Sequence, residues 1–320
     1  MVFFALLPAS VEGGVVREAM VKRMVDALVI AVSGQADLAS AWKTFVRPQD
    51  RVGIKVSTTG APVSSTHPAV VEAVAEGLLA AGVPRGNIVI WDRSQRDLDN
   101  AGLDRLAPRF RVTGTDRAGG YDEKAVITAA VMGKLIVGDR EFGPKPGEQV
   151  SSRSHLSSVL VRDVDKVVNV PALADSVFSG VSGALSGMVL DNADNWRRLA
   201  REPHFGDPFL PEAYADPRIG GKVVLTILDA LRPQYTGGPF PGAGFNVNYG
   251  AIFASRDPVA LDATGVRLLD EFREDAGLRP LAKSTKWLES AELMGLGFAA
   301  EDKVRVVRTG LEGEVRWNQP

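Results

Sequence analysis

The chain has 320 residues, with 37 Lys+Arg against 39 Asp+Glu for a formal net charge of −2, and 45% hydrophobic and 24% charged content. That balance suits a folded protein with a large core, in one large or two modest domains, and supplies no electrostatic attraction for nucleic acid or an anionic membrane surface. With no cysteine in the chain, disulfides, thiolate nucleophiles, Cys-ligated zinc and iron–sulfur clusters are excluded, and a divalent metal would have to take His, carboxylate or carbonyl ligands.

No apolar run approaches the roughly 18 to 20 residues of a membrane span. The apolar start, Met1–Ala9, lacks the basic region of a signal peptide, and Phe3–Leu7 reads as a first strand. The chain as it stands is expected in the cytoplasm; a leader absent from this sequence would make it periplasmic. Val15–Val32 reads as a helix. Val52–Ser57 is strand-like, Thr66 can cap a helix with Val70, Val71, Val74 and Leu78 at helical spacing, Gly82 stops it, and Ile88–Trp91 is the next strand. Right-handed crossover makes these two strands parallel. A shorter helix near Leu98–Leu106 then leads to a strand around Phe110–Thr113.

From Thr115 to Ser152 glycines interrupt the periodicity, and the region reads as an inserted hairpin. Strands return at Lys166–Val170, Val223–Leu228 and Ala251–Ala254, with the Gly/Ser-rich Ser179–Gly187 after the first. Asp257 caps a helix over Val259–Phe272 that starts behind Pro258. Val304–Val307 and Glu314–Trp317 read as an antiparallel pair. The whole predicts an α/β fold with a mostly parallel sheet and helices on both faces, divided as residues 1–115, a hairpin insertion at 116–160, and a second half at 161–320.

A helix-covered parallel strand is nearly continuous in Val, Ile and Leu, so a charge within or ending one needs a reason. Lys55 lies inside its strand, Asp92 and Arg93 close theirs, Asn169 sits in Lys166–Val170, and Asp229 closes Val223–Leu228. In open α/β sheets ligands bind beyond the carboxyl ends of the strands. Lys55, His67, Asp92 and Asp229 are therefore the catalytic candidates; Thr58, Thr59, Arg93, Asn169, Tyr235, Gly237, Gly238 and Asp257 are candidates for ligand contact. Each Asp has a plainer reading as a cap or turn former, and Lys55 either snorkels from an edge or meets an anion. Thr236–Gly250 carries enough glycine to bring backbone N–H groups to a ligand, or is simply a long loop. Of the three histidines, His67, His155 and His204, none forms an HxH or HxxxH pair; they are metal-ligand candidates beside a carboxylate, or capping and surface residues. No GxSxG elbow is present.

Several stretches together resemble one family. VGIKVSTTG followed by STHPAVVEAV, IVIWDR, KVVNVPALAD with GVSGALSG, VVLTILDAL and above all ASRDPVALDA look like the domain of unknown function 362 family, over about residues 45 to 275. The resemblance implies no general activity, and the iron–sulfur character of many members comes from attached cluster modules whose cysteines are absent here. Typical members carry Lys and His where this chain has Ala174, Asp175 and Ser176, and a Lys-Asn pair where Ser186 and Gly187 stand, so roles of those groups do not carry over. Exported members with twin-arginine leaders are familiar. The strand, Thr-rich turn, helix and strand are also similar in architecture to the amino-terminal domain of nickel-dependent lactate racemase, without its histidine motif.

Two functions from different classes fit these residues. One is an enzyme acting on a small anionic metabolite, a carboxylate or phosphate, at the strand ends. The other is a non-catalytic ligand-binding or accessory protein presenting the glycine-rich loop 236–250. They differ in whether Lys55, His67, Asp92 and Asp229 share one pocket.

Overall fold

The computed structural model describes residues 1–128, 153–200 and 202–311. The chain opens with β1 (Val2–Leu6), a small antiparallel pair β2 (Val11–Glu12) and β3 (Val15–Val16), and the helices α1 (Glu18–Ser33) and α2 (Leu38–Lys43). Then come β4 (Val52–Val56), α3 (Pro68–Ala80), β5 (Ile88–Asp92), α4 (Gln95–Asn100), β6 (Arg111–Gly114), β7 (Tyr121–Thr128) and β8 (Arg153–Ser157). β9 (Lys166–Val170), β10 (Ala172–Ser176), β11 (Gly180–Ser182), α5 (Ala184–Val189) and α6 (Phe209–Tyr214) follow, then β12 (Val223–Gln234), β13 (Ala251–Ser255), α7 (Pro258–Asp275), α8 (Trp287–Leu293) and β14 (Val306–Arg308).

Ten of the described strands form one mixed sheet in the order β14-β1-β13-β12-β9-β4-β5-β6, with β10 beside the far half of β12 and β11 beside β10. The pairs β12–β9, β9–β4, β4–β5, β5–β6, β10–β12 and β1–β14 are parallel, while β13 runs antiparallel to both β1 and β12. Every residue of β4 and β5 is buried, as strands covered on both faces require. Ile54, Ile90, Val168 and Ile227 pack on one face with Val25 of α1, Trp42 of α2 and Val74 of α3; Trp91, Val167 and Leu228 pack on the other with Met188 of α5, Leu210 of α6, Leu261 of α7 and Trp287 of α8. Gly53 makes this possible in β4, because a Cβ there would lie 2.4 Å from the Trp91 ring.

Several expectations change in detail. The helix predicted from Val15 starts at Glu18, because Gly13 and Gly14 take positive φ and turn Val15 and Val16 into β3. Gly102, also at positive φ, separates α4 from a 3-10 turn at Leu103–Leu106. Thr66 does not cap α3: its hydroxyl bonds the Val170 carbonyl (2.6 Å), and His67 caps instead, with Nδ1 accepting from Ala69 N at 3.1 Å. Asp257 does cap α7, through Ala260 N at 2.8 Å. β7 and β8 pair antiparallel, and the segment joining them, in the expected hairpin region, lies outside the described residues. The last described strand, β14, overlaps the expected strand Val304–Val307 and runs parallel to β1; its predicted antiparallel partner Glu314–Trp317 lies outside the described residues. No described helix is long and apolar enough to cross a membrane.

Candidate active site

Alternation along β4 decides where Lys55 points. Ile54 and Val56 join the core beneath α1–α3, so Lys55 projects to the opposite face, where α5 covers it. Its side chain is fully buried, and its three N–H donors are all taken: by the Val56 carbonyl, by Asp92 Oδ1 at 2.8 Å and by Asp191 Oδ2 at 3.2 Å. Asp92, at the end of the neighbouring strand, is held as firmly. Its Oδ2 accepts from Thr58 N (2.8 Å) and Thr58 Oγ1 (2.5 Å), and its Oδ1 from Arg93 N (2.8 Å) as well as from the lysine. Burial alone would lower the Lys55 pKa, but Asp191 and Asp92 outweigh it and raise the ammonium pKa above its ordinary value. Asp191 is pushed upward, first by burial and then by Asp92, with Lys55 and Arg93 opposing.

Asp191 is the member of this trio that faces open space, with its side chain 16% exposed. It follows α5, and both ends of that segment are pinned. Asp262, buried on α7, accepts from Ala184 N (2.5 Å) and Leu185 N (3.0 Å) at the helix start. Trp91 Nε1 donates to Asn192 Oδ1 (3.1 Å) just past Asp191. Burial pushes the Asp262 carboxyl up to about 7 against the pull of those two N–H groups.

The space in front of Asp191 is a cleft of about 670 Å³ including its open mouth. Hydroxyls line much of it: Ser57 and Ser64 from the β4–α3 connection, and Ser176, Ser179, Ser182 and Ser186 from β10 to α5. Arg93 and Arg197 form a cationic wall, their guanidinium carbons 5.2 and 5.0 Å from the Trp196 ring centre. Phe178 packs edge-on against Trp196 and Phe240, so one side of the cleft is aromatic.

The structure separates the four predicted catalytic residues into two pairs, so they do not share one pocket, and the convergence that would favour an enzyme is absent for this set. Lys55 and Asp92 meet behind Asp191, buried beneath the cleft lining. Asp229 lies between Leu228 and Ala230, which face α7, so it projects to the other face, where its Oδ2 accepts from His67 N at 2.8 Å. His67 and Asp229 line a different cavity. Burial pushes Asp229 up to about 6, against the His67 and Leu231 N–H groups, and burial followed by the Arg105 charge pulls His67 down to about 4.

Among the ligand-contact candidates, Thr59 and Arg93 line the cleft, whereas Thr58 is committed to Asp92. Asn169 donates to the Ala184 carbonyl (3.0 Å), and Asp257 serves the starts of α7 and the Phe298 turn, so both hold structure. Tyr235 packs on Phe245 and gives its carbonyl to Arg273. Gly238 N donates to Asp175 Oδ1 (2.7 Å) and is not free for a ligand; that bond and the turn at Gly237, φ +81, deliver Pro239 and Phe240 to the cleft. The three imidazoles do not assemble: His67 caps α3, His155 pairs with Asp194 Oδ2 at 2.7 Å in the β8 region, and His204 is exposed in a turn. No group of three or more His, Asp or Glu side chains able to hold a metal occurs among the described residues.

Sequence reasoning missed Asp191 and Asp262. Asp262 falls on the buried stripe Val259, Asp262, Val266, Leu269 of α7, where a carboxylate is out of place. Asp191 closes the apolar run Met188–Leu190 in the way Asp92 closes β5, but outside any strand.

The stretch holding these residues, 52–267, matches the family described as Domain of unknown function (DUF362). The chain belongs to that family. The match runs from the first residue of β4 into α7, so the whole Lys55–Asp92–Asp191 trio and Asp262 lie in family territory. No curated protein matches the chain. Among solved structures, the lactate racemase apoprotein from Thermoanaerobacterium thermosaccharolyticum is similar at 13% identity and a TM-score of 0.46, over 84% of this chain and 56% of that one. A Thermotoga maritima protein is similar at 13% identity and a TM-score of 0.42, over 84% of this chain and 61% of that one. The chain thus spans less than two thirds of the length of either.

Proposed function

We propose that this family member is an enzyme that performs acid–base chemistry on a small metabolite bearing a carboxylate or phosphate, bound in the Asp191 cleft. The carrying observation is the buried Asp92–Lys55–Asp191 trio, which exposes only Asp191 to the cleft. A buried charge cluster is a poor way to stabilise a core, because apolar side chains of similar volume do as well or better. It is a good way to hold one carboxylate with a raised proton affinity against a substrate. In this arrangement Asp191 takes or gives the proton, and Lys55 stabilises its ionised form. Asp92, fixed by Thr58 and the Arg93 N–H, keeps the ammonium in place. Arg93 and Arg197, steadied on Trp196, meet the anionic end, and the serine hydroxyls meet polar substituents. Lys55 itself has no donor left for the substrate, so its role is through Asp191.

The test is hydrogen–deuterium exchange into a panel of short hydroxy-acids, keto-acids and their phosphates in D₂O, followed by NMR. Wild-type protein is expected to label at least one C–H next to an acid or keto group, and Asp191→Asn is expected to slow labelling by roughly 100-fold or more. Elemental analysis of the same preparation establishes whether a divalent metal accompanies the acid. Ligands that bind the wild type without any exchange would favour the non-catalytic alternative, in which loop 236–250 closes over a bound ligand through Pro239 and Phe240.

A further inference from the structure

The cleft has a neighbour on the opposite face of the sheet. A second cavity of about 870 Å³ with its mouth opens between the start of α3, the turn at Gly102–Arg105 and the far half of β12. One connection walls both spaces: Ser57, Thr59 and Ser64 line the cleft, Pro62, Val63 and Ser65 line the second cavity, and Ala172 touches both. The charged groups facing the second cavity are Arg105, Arg232 and Asp229, beside the His67 imidazole.

The two arginines come from separate elements and are unequally served. Arg105 has Glu18 at 2.9 Å and Glu72 at 3.9 Å on its outer side. Arg232 has no ion-pair partner among the described residues, and its Nε is buried with no acceptor. A buried guanidinium N–H left without an acceptor is unfavourable, and the planar fork of arginine matches phosphate and carboxylate oxygens. Asp229, whose two oxygens accept from the backbone N–H groups of His67 and Leu231 at 2.8 and 3.0 Å, does not reach Arg232 Nε, which has no acceptor. The cationic field reaches the imidazole: after burial, Arg105 and then Arg232 hold His67 in its neutral form, with only Glu18 opposing.

We infer that this cavity is a second ligand site, back to back with the cleft, which takes the oxyanion of a small phosphate- or carboxylate-bearing molecule between Arg232 and Arg105. The inference does not depend on what Asp191 does, because the residues are different and the readout is binding alone.

Sulfate, a dianion at every working pH, is the probe. Calorimetric titration of the full chain with sodium sulfate is expected to show a component that Arg232→Met weakens by roughly tenfold or more. Arg105→Gln, at a rim position that cannot unfold the core, is expected to weaken the same component, and Arg93→Met, in the other cleft, is expected to leave it in place. Thermal melts of each variant establish that it is folded. An unchanged sulfate isotherm in Arg105→Gln and in folded Arg232→Met overturns the inference, as does loss of all sulfate binding in Arg93→Met.

Discussion

Lys55 shows how little freedom a buried charge has. Each of its three donors has one acceptor, and each carboxylate acceptor is itself buried or nearly so. Replacing it with methionine keeps the volume but leaves Asp92 and Asp191 facing each other with no cation between them. Lys55→Met is expected to lower stability by about 3–5 kcal/mol, the usual cost of orphaning a buried partner, read from urea unfolding; a loss below about 1 kcal/mol would show that the trio is more hydrated than its burial implies. Asp262 offers a test in pH. Its folded value, about 7, lies above the ordinary 3.8, so its contribution is fully present below about pH 4 and is lost as pH rises through about 7. Across that window the wild type should lose stability relative to Asp262→Asn, with a limiting slope of roughly 1.4 kcal/mol per pH unit. Parallel stability curves would remove Asp262 from the account. At this scale the sequence was partly readable: a lysine or aspartate interrupting Val and Ile advertises itself, and Lys55 and Asp92 were found that way. Whether Asp229 shares their face depends on the register between β12, β9 and β4, and no single strand contains that information.

Helix α5 has only 6 residues, too few to persist by its own hydrogen bonds. Its place depends on Asp262 and on Gly183, where a Cβ would lie 2.1 Å from Asp262 Oδ1. Gly183→Ala must therefore displace either the carboxylate or the helix. It is expected to cost about 1–3 kcal/mol and to weaken ligand binding in the cleft, because Ser186 and Asp191 ride on the same segment; wild-type stability in that variant would sink the idea that Asp262 positions α5. The regular elements β4, α3, β5 and α7 were legible from periodicity, and α7 from its Asp257 cap as well. β10, β11 and α5 were not: their small residues carry no amphipathic pattern, and contacts from α7, β12 and the Gly237–Phe240 turn impose their shape.

On the scale of the molecule, the carboxyl-terminal end of the central strands serves two cavities on opposite faces, joined by the chain between β4 and α3. The parallel core was predictable from alternating strand and helix periods, but the division of polar groups between faces follows from packing α1–α3 on one side and α5–α8 on the other. The seat of β1 has a consequence for biosynthesis. Phe3 is paired with Ala254 on one flank and Val307 on the other, so both strand neighbours of β1 are remote from it in sequence and are synthesised well after it. Until β13 and β14 have been synthesised, that apolar ribbon has no strand to pair with, so this side of the sheet closes only after both have left the ribosome. Slow, chaperone-dependent maturation is the expected cost of such distant pairing, visible as protease-sensitive nascent chains that become resistant only once β13 and β14 have emerged.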